Sequence, residues 1–227
     1  MLPSSFLTTS EKTMTQPLEQ IIHLSQKPAT HAIIWLHGLG ADADDFAPLL
    51  PHLDLKPTTR VIFPNANVMP ITINQGMRMR AWYDISDIEM KNVDTVGIER
   101  SAAQIELIYN AQRADNIAAE RIIFAGFSQG GVMSLHLGLK NPCRGILALS
   151  CYLAEENNIP APTPSSPKIL HIHGTEDSIV MPQAGYRAHQ ILSAAGYDSE
   201  YISYPMGHEV CAAEIEKIKQ WFHQLGF

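Results

Sequence analysis

Three residues of the kind that cleave acyl bonds occur in this chain in the order Ser128, Asp177, His208, each just beyond an apolar run. A serine hydroxyl attacks a carbonyl carbon only when a base takes its proton, and a carboxylate keeps that base in orientation. Ser128 stands in Gly126-Phe127-Ser128-Gln129-Gly130, after the apolar run Ile122 to Ala125 and before a segment of helical spacing. A serine between glycines where a strand becomes a helix is presented on a tight, strained turn, because glycine removes the side chains that would clash there. The partners of such a serine follow it as acid and then histidine. Asp177 lies in the turn after "KILHIH", with Glu176 as its neighbour and rival, expected to point the other way. His208 lies after the last strand-like run and before the last helix-like one. His171 and His173 fall within a strand and precede the acid, and His136, His189 and His223 fall in helical segments.

A serine that attacks a carbonyl also needs two donors for the tetrahedral oxyanion. The backbone N–H of Gln129, next to the nucleophile, is one. The other is assigned to Leu39 in "LHGLGADADDF", where Gly38 and Gly40 let the backbone come close. The same stretch matches a dinucleotide fingerprint, G-x-G-x-x-A. Asp42, Asp44 and Asp45 would repel a pyrophosphate, and the next strand, "RVIFPNAN", ends without a ribose-binding acid, so that reading is set aside.

The elements that must hold these residues are legible in the periodicity. Apolar runs at 31–36, 60–63, 121–126, 145–150, 168–173 and 199–204 read as buried parallel strands. Between them, Ile98, Ala102, Ile105 and Tyr109 share one helix face, and Ile215, Ile218, Trp221, Phe222 and Leu225 share another. Strands alternating with helices predict an α/β domain, a mostly parallel sheet covered by helices on both faces. Residues 64–87 and the proline-rich 160–167 read as long irregular segments.

Composition removes other classes. A formal net charge of −7 without any basic block argues against a nucleic-acid partner. No apolar run approaches the roughly 18 residues of a membrane span. Cys143, Cys151 and Cys211, an odd number without C-x-x-C spacing, predict free thiols in a reducing, cytoplasmic setting and no zinc site. The first 19 residues are polar, lack a signal-peptide pattern and read as an extension, with Met14 as an alternative start; residues 20–227 read as one domain.

The stretches "LHGLGADADDF", "GFSQGGVMSLHLGL", "ALSCYL", "HGTEDSIV", "MGHEV" and "PITINQGMRMRAWYDI" resemble the carboxylesterase II / acyl-protein thioesterase (lysophospholipase-like) family, from about residue 20 to the C-terminus. The resemblance implies an α/β-hydrolase fold without a large cap domain and needs no metal or cofactor. By motif position it implies Ser128, Asp177 and His208 as the triad, with Leu39 and Gln129 at the oxyanion. It implies that the "ITINQGMRMRAWYD" segment forms a lid and acyl-binding surface, so Ile73, Met77 and Trp82 are expected to line an acyl channel or to pack as a hydrophobic flap. The short stretch after this segment and the N-terminal extension depart from the family pattern. The expected activity is hydrolysis of esters or thioesters with short to medium acyl chains. A lysophospholipase or protein depalmitoylase, in transient contact with membranes, is the alternative. A non-catalytic ligand-binding protein on the same fold is a third reading. The family also admits a homodimer through the lid face.

Overall fold

A computed structural model describes residues 17–87 and 92–227. Seven strands form one sheet: β1 (Gln20–His23), β2 (His31–Leu36), β3 (Thr59–Pro64), β6 (Ile122–Phe127), β7 (Gly145–Leu149), β8 (Lys168–Gly174) and β9 (Ser199–Tyr204), in the order β1-β3-β2-β6-β7-β8-β9. β1 pairs antiparallel with β3, and the other neighbours are parallel. The six runs read as strands from the sequence are strands here, within one or two residues. Parallel pairing requires crossovers. These carry α1 (Leu50–Leu53), α2 (Thr95–Ala114), α3 (Gln129–Lys140) and α4 (Pro182–Ala194), and α5 (Ala212–Leu225) follows β9.

The helices divide between the two faces, as the period-2 alternation of the strands requires. Ala32, Ile34 and Leu36 of β2 pack with Ile98, Ala102 and Ile105 of α2, Leu135 of α3 and Leu192 of α4. Ile33 and Trp35 turn to the opposite face, against Leu53 of α1 and Ile218, Trp221 and Phe222 of α5. Both faces of the central strands are therefore dry, which explains why they read as unbroken apolar runs.

Two local differences from the sequence expectations matter for the site. The segment 64–87 is not wholly irregular: β4 (Val68–Ile71) and β5 (Met77–Arg80) form an antiparallel hairpin, with Gln75 and Gly76 in the left-handed region at its turn. The apolar–charged alternation Met77-Arg78-Met79-Arg80 is a strand pattern that Pro70 and the polar turn obscure. The folded body also reaches back to Leu18, which is buried in the core, and Glu19, whose carboxylate accepts from Arg80 at 2.9 Å. Residues 1–16, most of the expected extension, and 88–91 lie outside the described residues.

Candidate active site

β2, β6, β8 and β9 run parallel, so the turns after them gather at one edge of the sheet, where open α/β sheets place their sites. Ser128 is the turn between β6 and α3, with φ 55 and ψ −120. That conformation is costly for a non-glycine residue and persists only where its surroundings enforce it. The enforcement is visible. A Cβ on Gly126 would strike the carbonyl of Gly130, and one on Gly130 would strike the carbonyls of Leu36 and His37. On Gly131 it would lie 2.8 Å from Cys151 Sγ. The Ser128 N–H is tied to Leu149 O at 2.9 Å and its carbonyl to Val132 N at 3.1 Å. Serine at a helix start ordinarily caps it with its hydroxyl. Here the strained backbone takes the side chain out of capping position, and the hydroxyl makes no cap hydrogen bond.

Asp177 follows β8 and is almost wholly buried. Its Oδ1 accepts the N–H groups of Ile179 and Val180, both at 2.9 Å. Its Oδ2 lies 2.7 Å from His208 Nδ1 and 3.3 Å from His173 Nε2. Val180 O, an obligate acceptor, lies 2.8 Å from His173 Nε2, so that nitrogen carries a hydrogen. His208 must likewise carry its hydrogen on Nδ1 to face a carboxylate, which leaves Nε2 with a lone pair. The His208 ring packs on Phe127, centroids 4.7 Å apart, beside Ser128. Among the described residues Ser128 Oγ and His208 Nε2 close no hydrogen bond; such contacts commonly tighten only with substrate in place. Glu176, the rival acid, points to solvent.

The loop after β2 closes the other side. Gly38 lies against the serine: a Cβ there would be 3.5 Å from Ser128 Cβ. Gly40, at φ +76, donates its N–H to Arg80 O at 2.9 Å. His37 holds the loop from beneath, its Nδ1 donating to Gly38 O at 2.7 Å while Nε2 accepts from Ala66 N–H at 3.0 Å. Burial pushes the His37 pKa down, consistent with this neutral form. The first N–H groups of a helix have no internal partners. Gln129 is residue one of α3, and among the described residues neither its N–H nor that of Leu39 makes a backbone hydrogen bond outside the helices and strands.

Leu39, Ser128, Gln129 and His208 all line one cavity of about 240 Å³, together with Gly38, Ala41, Asp45, Tyr83, Ile85, Phe127, Tyr152, Ile179 and Val180. The expected acyl wall is not assembled from Ile73, Met77 and Trp82. Met77 is 64% exposed on the hairpin. Trp82 is buried behind the loop after β2, its Nε1 donating to His37 O at 2.9 Å and its N–H to Gln129 Oε1 at 3.1 Å. Ile73 is half-buried, and its N–H is bonded to Ile85 O at 2.8 Å. Of the two readings of that segment, a packed flap describes Trp82. The cavity beside Ser128 is lined instead by Tyr83, Ile85, Tyr152, Ile179 and Val180, none of which the sequence motifs mark as site residues. A signal for them existed: Tyr152 stands just beyond β7, and Ile179 and Val180 follow Asp177 by two and three residues.

One group among the described residues has cation-binding character, Glu99, His136 and Glu155 on the helical face of the sheet. Lys140 Nζ already sits there, 2.6 Å from Glu99 Oε1 and 3.4 Å from Glu155 Oε2. His136 is a neutral brace within it, its pKa lowered by burial and by Lys140.

The sequence profile of the phospholipase/carboxylesterase family matches residues 18–225. Acyl-protein thioesterase 1 of Neurospora crassa is 34% identical over 209 residues, covering 85% of each protein. Carboxylesterase SOBER1 of Arabidopsis thaliana is 30% identical over 200 residues, 83% of this chain and 88% of that one. The crystal structure of SOBER1 superposes with a TM-score of 0.78 at 27% identity, over 86% of this chain and 98% of that chain. That of Zea mays acyl-protein thioesterase 2 does so with 0.78 at 26%, over 91% and 98%.

Proposed function

This chain belongs to the phospholipase/carboxylesterase family of α/β-hydrolases, and from that premise we propose that it cleaves esters and thioesters of short to medium acyl chains through Ser128, His208 and Asp177. The observation that carries the residue roles is the Asp177–His208 pair, 2.7 Å apart, opening on the same cavity as a strained serine with an unspent hydroxyl.

In the proposed cycle His208 Nε2 takes the proton of Ser128 Oγ as the oxygen attacks the acyl carbonyl. The new oxyanion is held between the N–H groups of Leu39 and Gln129, at the positive end of α3. His208 then passes its proton to the leaving alcohol or thiol. Water, deprotonated by the same nitrogen, attacks the acyl-serine, and the acid departs with Ser128 restored. Asp177 holds the ring with Nδ1 protonated throughout. None of these steps calls on a metal or cofactor.

A lipid-like substrate is the second reading, and one observation favours it: Ile179, a cavity residue, is 60% exposed, so the apolar wall continues onto the surface. Among the described residues no helix is long and apolar enough to cross a membrane. A cytoplasmic setting is supported by three free thiols, two of them buried. The test is hydrolysis of a p-nitrophenyl ester series by wild type and Ser128→Ala. Loss on the order of 10⁴-fold in kcat for the variant supports the reading. Near-normal turnover would end it.

A further inference from the structure

Tyr83 and Tyr152 stand side by side in the wall of the cavity that holds Ser128 and His208, their hydroxyl oxygens 3.0 Å apart. Tyr83 comes from the segment after β5 and is 1% exposed; Tyr152 comes from the turn after β7 and is partly buried. Each is held in place by backbone ties. Tyr83 O accepts from Gln129 Nε2 at 2.8 Å, and Ser150, two residues before Tyr152, donates its N–H to Ile172 O at 2.8 Å.

The pair leaves a hydrogen over. Two phenols own two hydrogens, and their mutual bond uses one. Among the described residues neither hydroxyl has another hydrogen-bond partner. The remaining hydrogen therefore has no protein acceptor among the described residues, on a pair whose two residues both line the cavity. The phenol that carries it stays a donor, since burial raises the Tyr152 phenol to about 12 and the Tyr83 phenol well above its ordinary value. Of the other lining residues, Ile85, Phe127, Ile179 and Val180 are apolar, and the polar ones, Asp45, Ser128, Gln129 and His208, make no hydrogen bond to either hydroxyl.

Resting on the hydrolase reading above, we propose that the Tyr83–Tyr152 pair determines specificity, selecting esters that carry an ether, keto or hydroxyl oxygen a few bonds from the scissile carbonyl over all-carbon chains of equal length. An alkyl chain laid over the pair strips water from the free hydroxyl and gives no acceptor back, and a buried donor left unsatisfied is costly. An oxygen at the same place accepts the hydrogen. A site built to bond a polar group discriminates far more strongly than one that only measures length.

The test compares p-nitrophenyl esters in which one chain CH₂ is replaced by oxygen at each successive position, and a parallel series of alcohol-side replacements. The two arms locate the pair on the acyl or the alcohol side. Intrinsic reactivity cancels when each oxygen-to-carbon ratio of kcat/KM is divided by the same ratio for Tyr83→Phe/Tyr152→Phe. Wild type should exceed the double variant about tenfold at one position or two neighbouring ones, equal to about 1.4 kcal/mol. Each single variant keeps one phenol, hence one donor, and should retain much of the preference. Should the double variant not fold, Ser128→Ala should bind the favoured oxygen-bearing ester about tenfold tighter than its carbon partner. Ratios equal at every position in both series, or equal binding by Ser128→Ala, would overturn the proposal. Loss of the hydrolase reading would look different: ester cleavage unchanged in Ser128→Ala.

Discussion

Asp177 Oδ2 lies 2.7 Å from His208 Nδ1, while Oδ1 of the same carboxylate is clamped by the N–H groups of Ile179 and Val180. The clamp decides what an isosteric change does. In Asp177→Asn the two N–H donors require the amide oxygen on their side, so the amide NH₂ must face His208. The ring then presents Nδ1 as acceptor and carries its hydrogen on Nε2, where no proton can be taken from Ser128. The variant should fold normally and lose about 10⁴-fold in kcat. Glu176→Gln, on an exposed side chain, should change kcat less than about twofold. Steady-state kinetics of both variants, with circular dichroism as the folding control, checks the pair.

The cavity lining predicts where chain-length preference resides. Val180 is 3% exposed and lines the cavity, whereas Met77 is 64% exposed on the hairpin and does not. Each CH₂ buried against an apolar wall is worth about 0.8 kcal/mol, near fourfold. Ile179→Ser should therefore lower kcat/KM on octanoyl esters severalfold more than on acetyl esters. Met77→Ser should lower both equally. A C2-to-C12 p-nitrophenyl ester series separates the outcomes, and a length-dependent effect of Met77→Ser would restore it to the acyl wall.

Glu214, in the first turn of α5, is 0% exposed and faces the Cys211 backbone without closing a hydrogen bond to it. Burial pushes its pKa up to about 8. A carboxyl raised on folding holds its proton in the native state after the unfolded chain has lost it. Its stabilising contribution is complete below the ordinary value of 4.5 and is lost as pH rises toward 8. Between pH 5.5 and 8 the wild type should lose on the order of 3 kcal/mol that Glu214→Gln retains. Urea denaturation of both proteins at the two pH values measures this; parallel losses would show that Glu214 ionises freely in the fold.

The residues whose chemistry is local were legible in the sequence. The elbow of Gly126, Ser128 and Gly130 was readable because only glycine fits those positions, and the strand ends carrying Asp177 and His208 because unbroken apolar runs mark buried parallel strands. β1 escaped notice since one edge strand with a mostly exposed pattern has too few apolar residues to register. The lining of the cavity was not legible for a different reason. Met77 and Trp82 are apolar neighbours in a loop-like segment, and which of them turns inward depends on the hairpin register and on the Trp82–His37 hydrogen bond, both tertiary facts. The Tyr83–Tyr152 contact joins residues 69 apart and leaves no trace in either local pattern.

The central claim is that Ser128 Oγ is the nucleophile and His208 its base. Reaction with a fluorophosphonate followed by peptide mass mapping tests it most directly, because the phosphoryl group stays on the atom that attacked. A single adduct on Ser128, formed at least about 10³-fold more slowly in His208→Ala, is the predicted result. An adduct on any other residue, or labelling of Ser128 at the wild-type rate without His208, would contradict the account.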